Sequence, residues 1–213
     1  MKHSRPALAL PLAAALLLLA SCATPGSVGA GGTAPDAPAG ASFGSTLPGA
    51  PAGDVIGHGT VIDTGSGAEL CLGAVAESYP PQCSGIPVTG WSWDGLDGVE
   101  SSDDTTWGAY AVQGGYDGKT LTLTQPPILL ALYDPMMRED PTDGRAGKAT
   151  DDDVDAVQTT APDLLGDAYL GSYPEGGWVW LDVVWDDGTL QQAADDDYGT
   201  GVVVARSALT EVG

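Results

Sequence analysis

The chain has 213 residues, 29 of them acidic and 7 basic, for a formal net charge of −22 at pH 7. A surface of that sign is repelled by phosphate backbones and anionic headgroups, which excludes nucleic acid as a partner and favours cations or basic surfaces.

The first element in chain order is a leader. Lys2 and Arg5 precede an apolar run from Ala7 to Ala20, the charged and hydrophobic regions of a secretory signal. The run is interrupted by Pro11 and is too short for a membrane span of about 20 residues. It closes on Leu19-Ala20-Ser21-Cys22, which resembles the bacterial lipobox. That resemblance implies a signal peptide over residues 1–21, removal of that peptide, and a lipid on Cys22. Two acyl chains, at about 0.8 kcal/mol per buried CH₂, would hold the protein on a membrane surface without spanning it. Loss of the leader removes Lys2 and Arg5 but no acid, leaving five basic residues against 29 acidic ones and a charge of −24. The expected location is the extracytoplasmic face of the cell membrane.

Residues 22–53 are dominated by Ala, Gly, Pro, Ser and Thr, with one aromatic. Such a composition buries too little apolar surface to offset its ordering entropy, so a disordered tether with a mean reach of roughly 30 Å is expected. From residue 54 to 125 the texture changes to short apolar or alternating runs: VIGHGTVI, AELCLGAV, IPVTGWSW, WGAYAVQGGY and KTLTLT. Turn signals separate them, and Asp117-Gly118 predicts a two-residue type I′ hairpin. About five strands in so short a stretch predict a small OB-like antiparallel barrel, with a sandwich as the rival. Residues 126–163 read as an irregular acidic loop or linker.

Residues 164–213 predict a short strand–helix–strand part. GGWVWLDVVW reads as a buried strand and GVVVARSAL as a second one. Between them, Leu190, Ala193, Ala194 and Tyr198 fall on one face of a short helix, with Asp187 or Thr189 as its cap and Gly199 or Gly201 as its end. Asp195–Asp197 lie at the end of that helix that the dipole disfavours for acids. The fold class expected is α+β, predominantly β.

With Cys22 lipidated, Cys71 and Cys83 are the remaining cysteines and have one pairing. Their spacing fits neither a zinc nor a redox motif, and an exported chain favours a disulfide. The stretches GHGTVIDTGSGAELCLG and AVAESYPPQCSGIPVTGWSWDG resemble a segment of uncharacterised actinobacterial secreted and lipid-anchored proteins. The tail DDGTLQQAADDDYGTGVVVARSAL is similar in texture to the tails of those proteins. The resemblance covers about a third of the chain and implies no activity for any residue.

Val61-Ile62-Asp63-Thr64-Gly65-Ser66 resembles the aspartic-protease fingerprint, and DLLGDAYL at 163–170 resembles its supporting apolar-apolar-Gly element. A protease of that kind needs two aspartates on one water, hence a homodimer through Asp63. The competing reading of Asp63 is a hairpin turn. No G-x-S-x-G elbow is present, and His58, the one histidine beyond the leader, reads as a surface or turn residue. Asp151, Asp153 and Asp155 alternate as in a calcium loop, but Ala156 and Pro162 stand where the glycine and the bidentate Glu belong, which excludes an EF-hand and leaves a looser cation site here or at Asp195–Asp197. Trp91 with Trp93 and Trp178 with Trp180 each share a strand face, as core or as a stacking platform for sugars. These readings point to a binding module of the cell envelope without a cofactor, its partner a cell-wall glycan, a cation or an envelope protein. The alternative is a hydrolase through Asp63. The oligomeric state is not legible.

Overall fold

The computed structural model describes residues 43–135, 137 and 140–212. The leader, the lipobox Cys22 and the tether up to residue 42 lie outside the described residues. Five strands close a barrel: β1 (Asp54–Asp63), β2 (Ala68–Cys71), β3 (Ile86–Thr89), β5 (Thr105–Tyr116) and β6 (Leu121–Leu123). β4 (Glu100–Ser102) and β7 (Ile128–Leu129) add to the free edge of β5. The barrel runs β1-β2-β3-β6-β5 and back to β1. It is the small barrel the strand spacing predicts, mixed rather than fully antiparallel, because β3 and β6 run parallel. Val55, Val61, Leu70, Ile86, Val88, Tyr110, Val112 and Leu121 fill its interior.

Closing so small a cylinder brings backbones together. A Cβ built on Gly59 would lie 2.1 Å from the carbonyl oxygen of Cys71, and one on Gly114 would lie 2.0 Å from that of Thr122. Both positions admit only hydrogen at the seam where one strand crosses onto the next. The predicted two-residue hairpin is corrected. Tyr116 pairs with Leu121, so the loop has four residues. Asp117 Oδ1 accepts the N–H groups of Lys119 and Thr120 at 2.9 and 2.7 Å. This side-chain turn competes with the positive φ that a type I′ turn would ask of Asp117.

The expectation of an irregular 126–163 is also corrected. Helix α1 spans Asp151–Leu165. Thr150 and Asp153 form a reciprocal capping box, and Asp151–Asp153 place negative charge where the helix dipole favours it. Val157, Ala161 and Leu165 form its buried stripe, and Pro162 sits in its last turn. Helix α2 spans Thr189–Tyr198, as the periodicity predicts. Its N-terminal amides at Leu190 and Gln191 are met by Asp186, one residue before the predicted Asp187, which itself accepts the Thr189 amide. The acids at its C-terminal end have partners: Gln191 donates to Asp195, Gln192 to Asp196, and the Phe43 amide to Asp197.

These helices cover one face of a second sheet, ordered β10 (Val203–Ser207), β9 (Trp178–Val183), β8 (Tyr169–Glu175). Val179, Leu181 and Val183 of β9 face the core under α1 and α2. At the outer edge of β10, the Gln191 amide donates to Val203 O and accepts from Ala205 N. One side chain thus stands in for a neighbouring strand and blocks edge pairing. β11 (Thr210–Glu211) returns to the barrel and pairs with β1.

The tether boundary at residue 53 is corrected as well. Phe43, the one Phe of the chain, is 1% exposed and packs in the second core edge-on to Tyr198. Gly49 N donates to Asp187, and Trp185 Nε1 donates to Gly49 O. Residues 43–53 therefore belong to the folded body. A single aromatic in a polar run reads as tether until a pocket exists to receive it.

Candidate functional site

A cleft of about 620 Å³ opens between the barrel and the outer face of the second sheet, lined by His58 of β1, Leu72–Ala74 after β2, Leu170 of β8, Asp182 of β9 and Arg206 of β10. Strand alternation builds its polar wall. Trp178, Trp180 and Asp182 share the face of β9 opposite the valine core. The parallel register sets Arg206 beside Asp182, and the antiparallel one sets Tyr173 beside Trp180.

The Arg206 guanidinium is held on several sides. Nε donates to Asp182 Oδ1 at 2.7 Å, while Nη2 donates to Asp182 Oδ2 and to the Tyr173 hydroxyl, each at 3.0 Å. Its centre lies 5.3 Å from the Trp180 ring and 5.9 Å from the Tyr173 ring. The fork to Asp182 holds the guanidinium pKa above its ordinary value, so Arg206 is a permanent cation. No hydrogen bond among the described residues engages Nη1. On the barrel side, the His58 ring stands 6.0 Å from that of Tyr133 and faces solvent at mid-strand. The arrangement sets a preorganised cation and an imidazole in one cleft with Leu72 and Leu170. Its fixed guanidinium can donate to acceptor atoms, and among the described residues that line the cleft there is no serine, threonine or cysteine.

The residues singled out by sequence lie elsewhere. Asp63 ends β1, and its Oδ1 accepts the amides of Gly65 and Gly67 at 2.8 and 3.1 Å. The carboxylate closes the β1–β2 turn. Leu164-Leu165-Gly166, read as the element supporting a protease loop, is the C-terminal end of α1, capped by Gly166. Asp151, Asp153 and Asp155 ride on α1, where Asp153 Oδ2 takes the Thr150 amide and hydroxyl. Those bonds lower the Asp153 pKa below the usual carboxylate value. Among the described residues, no three His, Cys, Asp or Glu converge as a metal cage.

Cys71 and Cys83 are bonded, as expected, with Cα atoms 6.1 Å apart. Closing that loop contributes about 3 kcal/mol through the unfolded state. Cys71, Ile62 and Trp107 form a small third core outside the barrel, and Tyr79 meets Trp107 edge-on at 5.2 Å.

The tryptophans divide. Trp91 and Trp93 are partly buried against the barrel core, edge-to-face on each other, with Trp91 edge-on and Trp93 tilted to Tyr110, at ring centroid distances of 5.1 to 6.3 Å. Among the described residues, neither indole N–H has a partner. Trp178 and Trp180 lie on the outer sheet face, where Arg206 covers Trp180 and the Trp178 N–H donates to Arg145 O. Neither pair presents a bare double platform.

Asp182 and Arg206 escaped the sequence reading. The available signal was a lone acid in Trp178-x-Trp180-x-Asp182 and a lone Arg inside an apolar strand. Only the β9–β10 register joins them. No family model, curated protein or solved structure matches the chain.

Proposed function

We propose that the protein is a non-catalytic binding module of the cell envelope. It is held on the extracytoplasmic membrane face through a lipid on Cys22, and its ligand enters the His58–Asp182–Arg206 cleft. One observation carries the reading: a cation fixed by a two-point ion pair and two aromatic rings lies in the wall of a cleft sized for a small molecule. The resemblance of the segment around Cys71 and Cys83 to secreted and lipid-anchored proteins supports the location. The cover of Arg206 over Trp180 disfavours glycan stacking there, and a ligand recognised by polar contacts fits better.

The test uses the full chain isolated from its own envelope and examined by native mass spectrometry. A bound mass that disappears in Ala74→Trp, which fills the cleft from its exposed rim, supports the module. Cys22→Ser should leave that mass in place and move the protein out of the membrane fraction. Peptide-library cleavage that vanishes in Asp63→Ala would overturn the reading in favour of a hydrolase.

A further inference from the structure

We propose a second ligand site, apart from the His58–Asp182–Arg206 cleft, that takes a neutral, ring-sized molecule with an apolar body and one acceptor oxygen. A pocket of about 280 Å³ forms where three segments distant in sequence meet. Leu47 and Pro48 come from the stretch before β1, Tyr116 ends β5, and Ala168, Val184 and Trp185 flank strands of the second sheet. The stretch before β1 is fixed on both sides of Leu47. Phe43 is buried in the second core, and Gly49 donates to Asp187 and accepts from Trp185. Leu47 is nevertheless 63% exposed, an apolar side chain held in the pocket wall where an apolar ligand would cover it.

The wall is mostly apolar, and its polar groups sort by what they have left to offer. The Trp185 N–H is taken by Gly49 O, so that residue presents its ring. Tyr116 is 8% exposed, and its hydroxyl has no partner among the described residues. Burial, and then the Asp117 carboxylate, pushes that phenol up to about 12, so at neutral pH it is a donor. A hydroxyl so placed normally has a partner, and an acceptor oxygen on a ligand supplies one. Charge argues against an ion. Asp117 and Lys119 line the same pocket, so a ligand of either sign is attracted by one and repelled by the other. An ion would then lose its hydration for little return, which a neutral molecule does not. The volume is about twice that of a cavity that holds benzene, which sets the size at one ring with a short substituent.

Acetophenone, isopropylbenzene, benzoate and benzamidinium are matched probes, each a benzene ring with a branched substituent of one size. Each is titrated into the full chain in mild detergent, with affinity referred to the free aqueous probe and the methyl NMR signals of Leu47 and Val184 as the readout. Acetophenone should shift both signals and bind about tenfold more tightly than benzoate or benzamidinium. Tyr116→Phe keeps the ring and removes the donor. It should weaken acetophenone by roughly fivefold and leave isopropylbenzene unchanged. Leu47→Ala, at an exposed position that leaves the fold intact, should weaken both neutral probes by roughly threefold, read at Val184. Benzoate or benzamidinium binding as tightly as acetophenone overturns the neutral assignment. A Tyr116→Phe variant that holds acetophenone as tightly as the parent overturns the role of the hydroxyl. If none of the probes moves either signal, the pocket is not a site and the proposal fails, while the reading of the His58–Asp182–Arg206 cleft stands.

Discussion

Gly59→Ala tests whether the barrel closes as described. The added Cβ would sit 2.1 Å from the carbonyl oxygen of Cys71, against about 3.3 Å for an ordinary C···O contact. The obstacle is backbone in a paired strand, with Thr60 opposite Cys71 and Cys71 tied to Cys83. Relief requires β1 and β2 to part by about 1.2 Å, which takes one or two ladder hydrogen bonds out of range. Overpacking costs about 1–3 kcal/mol and each lost bond about 1 kcal/mol, while replacing a strand glycine regains about 0.5–1 kcal/mol. The net destabilisation expected is about 3 kcal/mol. At a urea slope of about 2 kcal/mol/M, the midpoint should fall by roughly 1.5 M. The control is Gly115→Ala, on a strand of the same barrel, where an added Cβ meets nothing within 4 Å. It should be neutral or stabilise by about 0.5 kcal/mol. Urea unfolding of both variants by tryptophan fluorescence decides the matter. If the two midpoints agree within error, the close approach of β1 to β2 is wrong.

Two further outcomes follow from the packing and electrostatics. Phe43→Ala should destabilise the protein by about 3–5 kcal/mol in thermal or urea unfolding, as for other buried aromatics; a change below about 1 kcal/mol would return residues 43–53 to the tether. Tyr116, buried in the barrel and beside Asp117, has its phenol pKa pushed up to about 12, first by desolvation and then by that carboxylate. Tyrosinate absorbance should place one phenol that high. Because the folded value exceeds the unfolded one of about 10, stability is intact below pH 10 and falls as pH rises from 10 to 12. Tyr116→Phe should remove that part of the alkaline loss.

The elements read correctly from sequence are those whose signal is local. The alternation of VIGHGTVI and WGAYAVQGGY marks β1 and β5, which pair along the full length of β1. Cys71 and Cys83 had one possible partner each. Leu190, Ala193 and Ala194 fall on one helical face, and all three are buried. Helix α1 was missed although Val157, Ala161 and Leu165 recur at helical spacing. Its acidic first turn and Pro162 read as loop, whereas each is acceptable at the helix end where it stands. The Asp117-Gly118 pair marked the right hairpin and the wrong loop length, because the Asp117 side chain bonds its own turn.

For the candidate site, the sequence determined the residue types available and their scarcity: few cations, one histidine beyond the leader, and an Asp-Thr-Gly that turns a chain as readily as it serves chemistry. Asp63 drew attention because motifs are contiguous and therefore visible. Arg206 and Asp182 did not, because 24 residues separate them and a helix lies between. Which face each occupies follows from strand period. Which strand stands beside which is decided by how α1 and α2 pack over Val179, Leu181 and Val183. Hydrophobic burial drives that choice without direction, so no single residue encodes it. The fixed guanidinium beside the cleft is its consequence, and only the tertiary structure contains it.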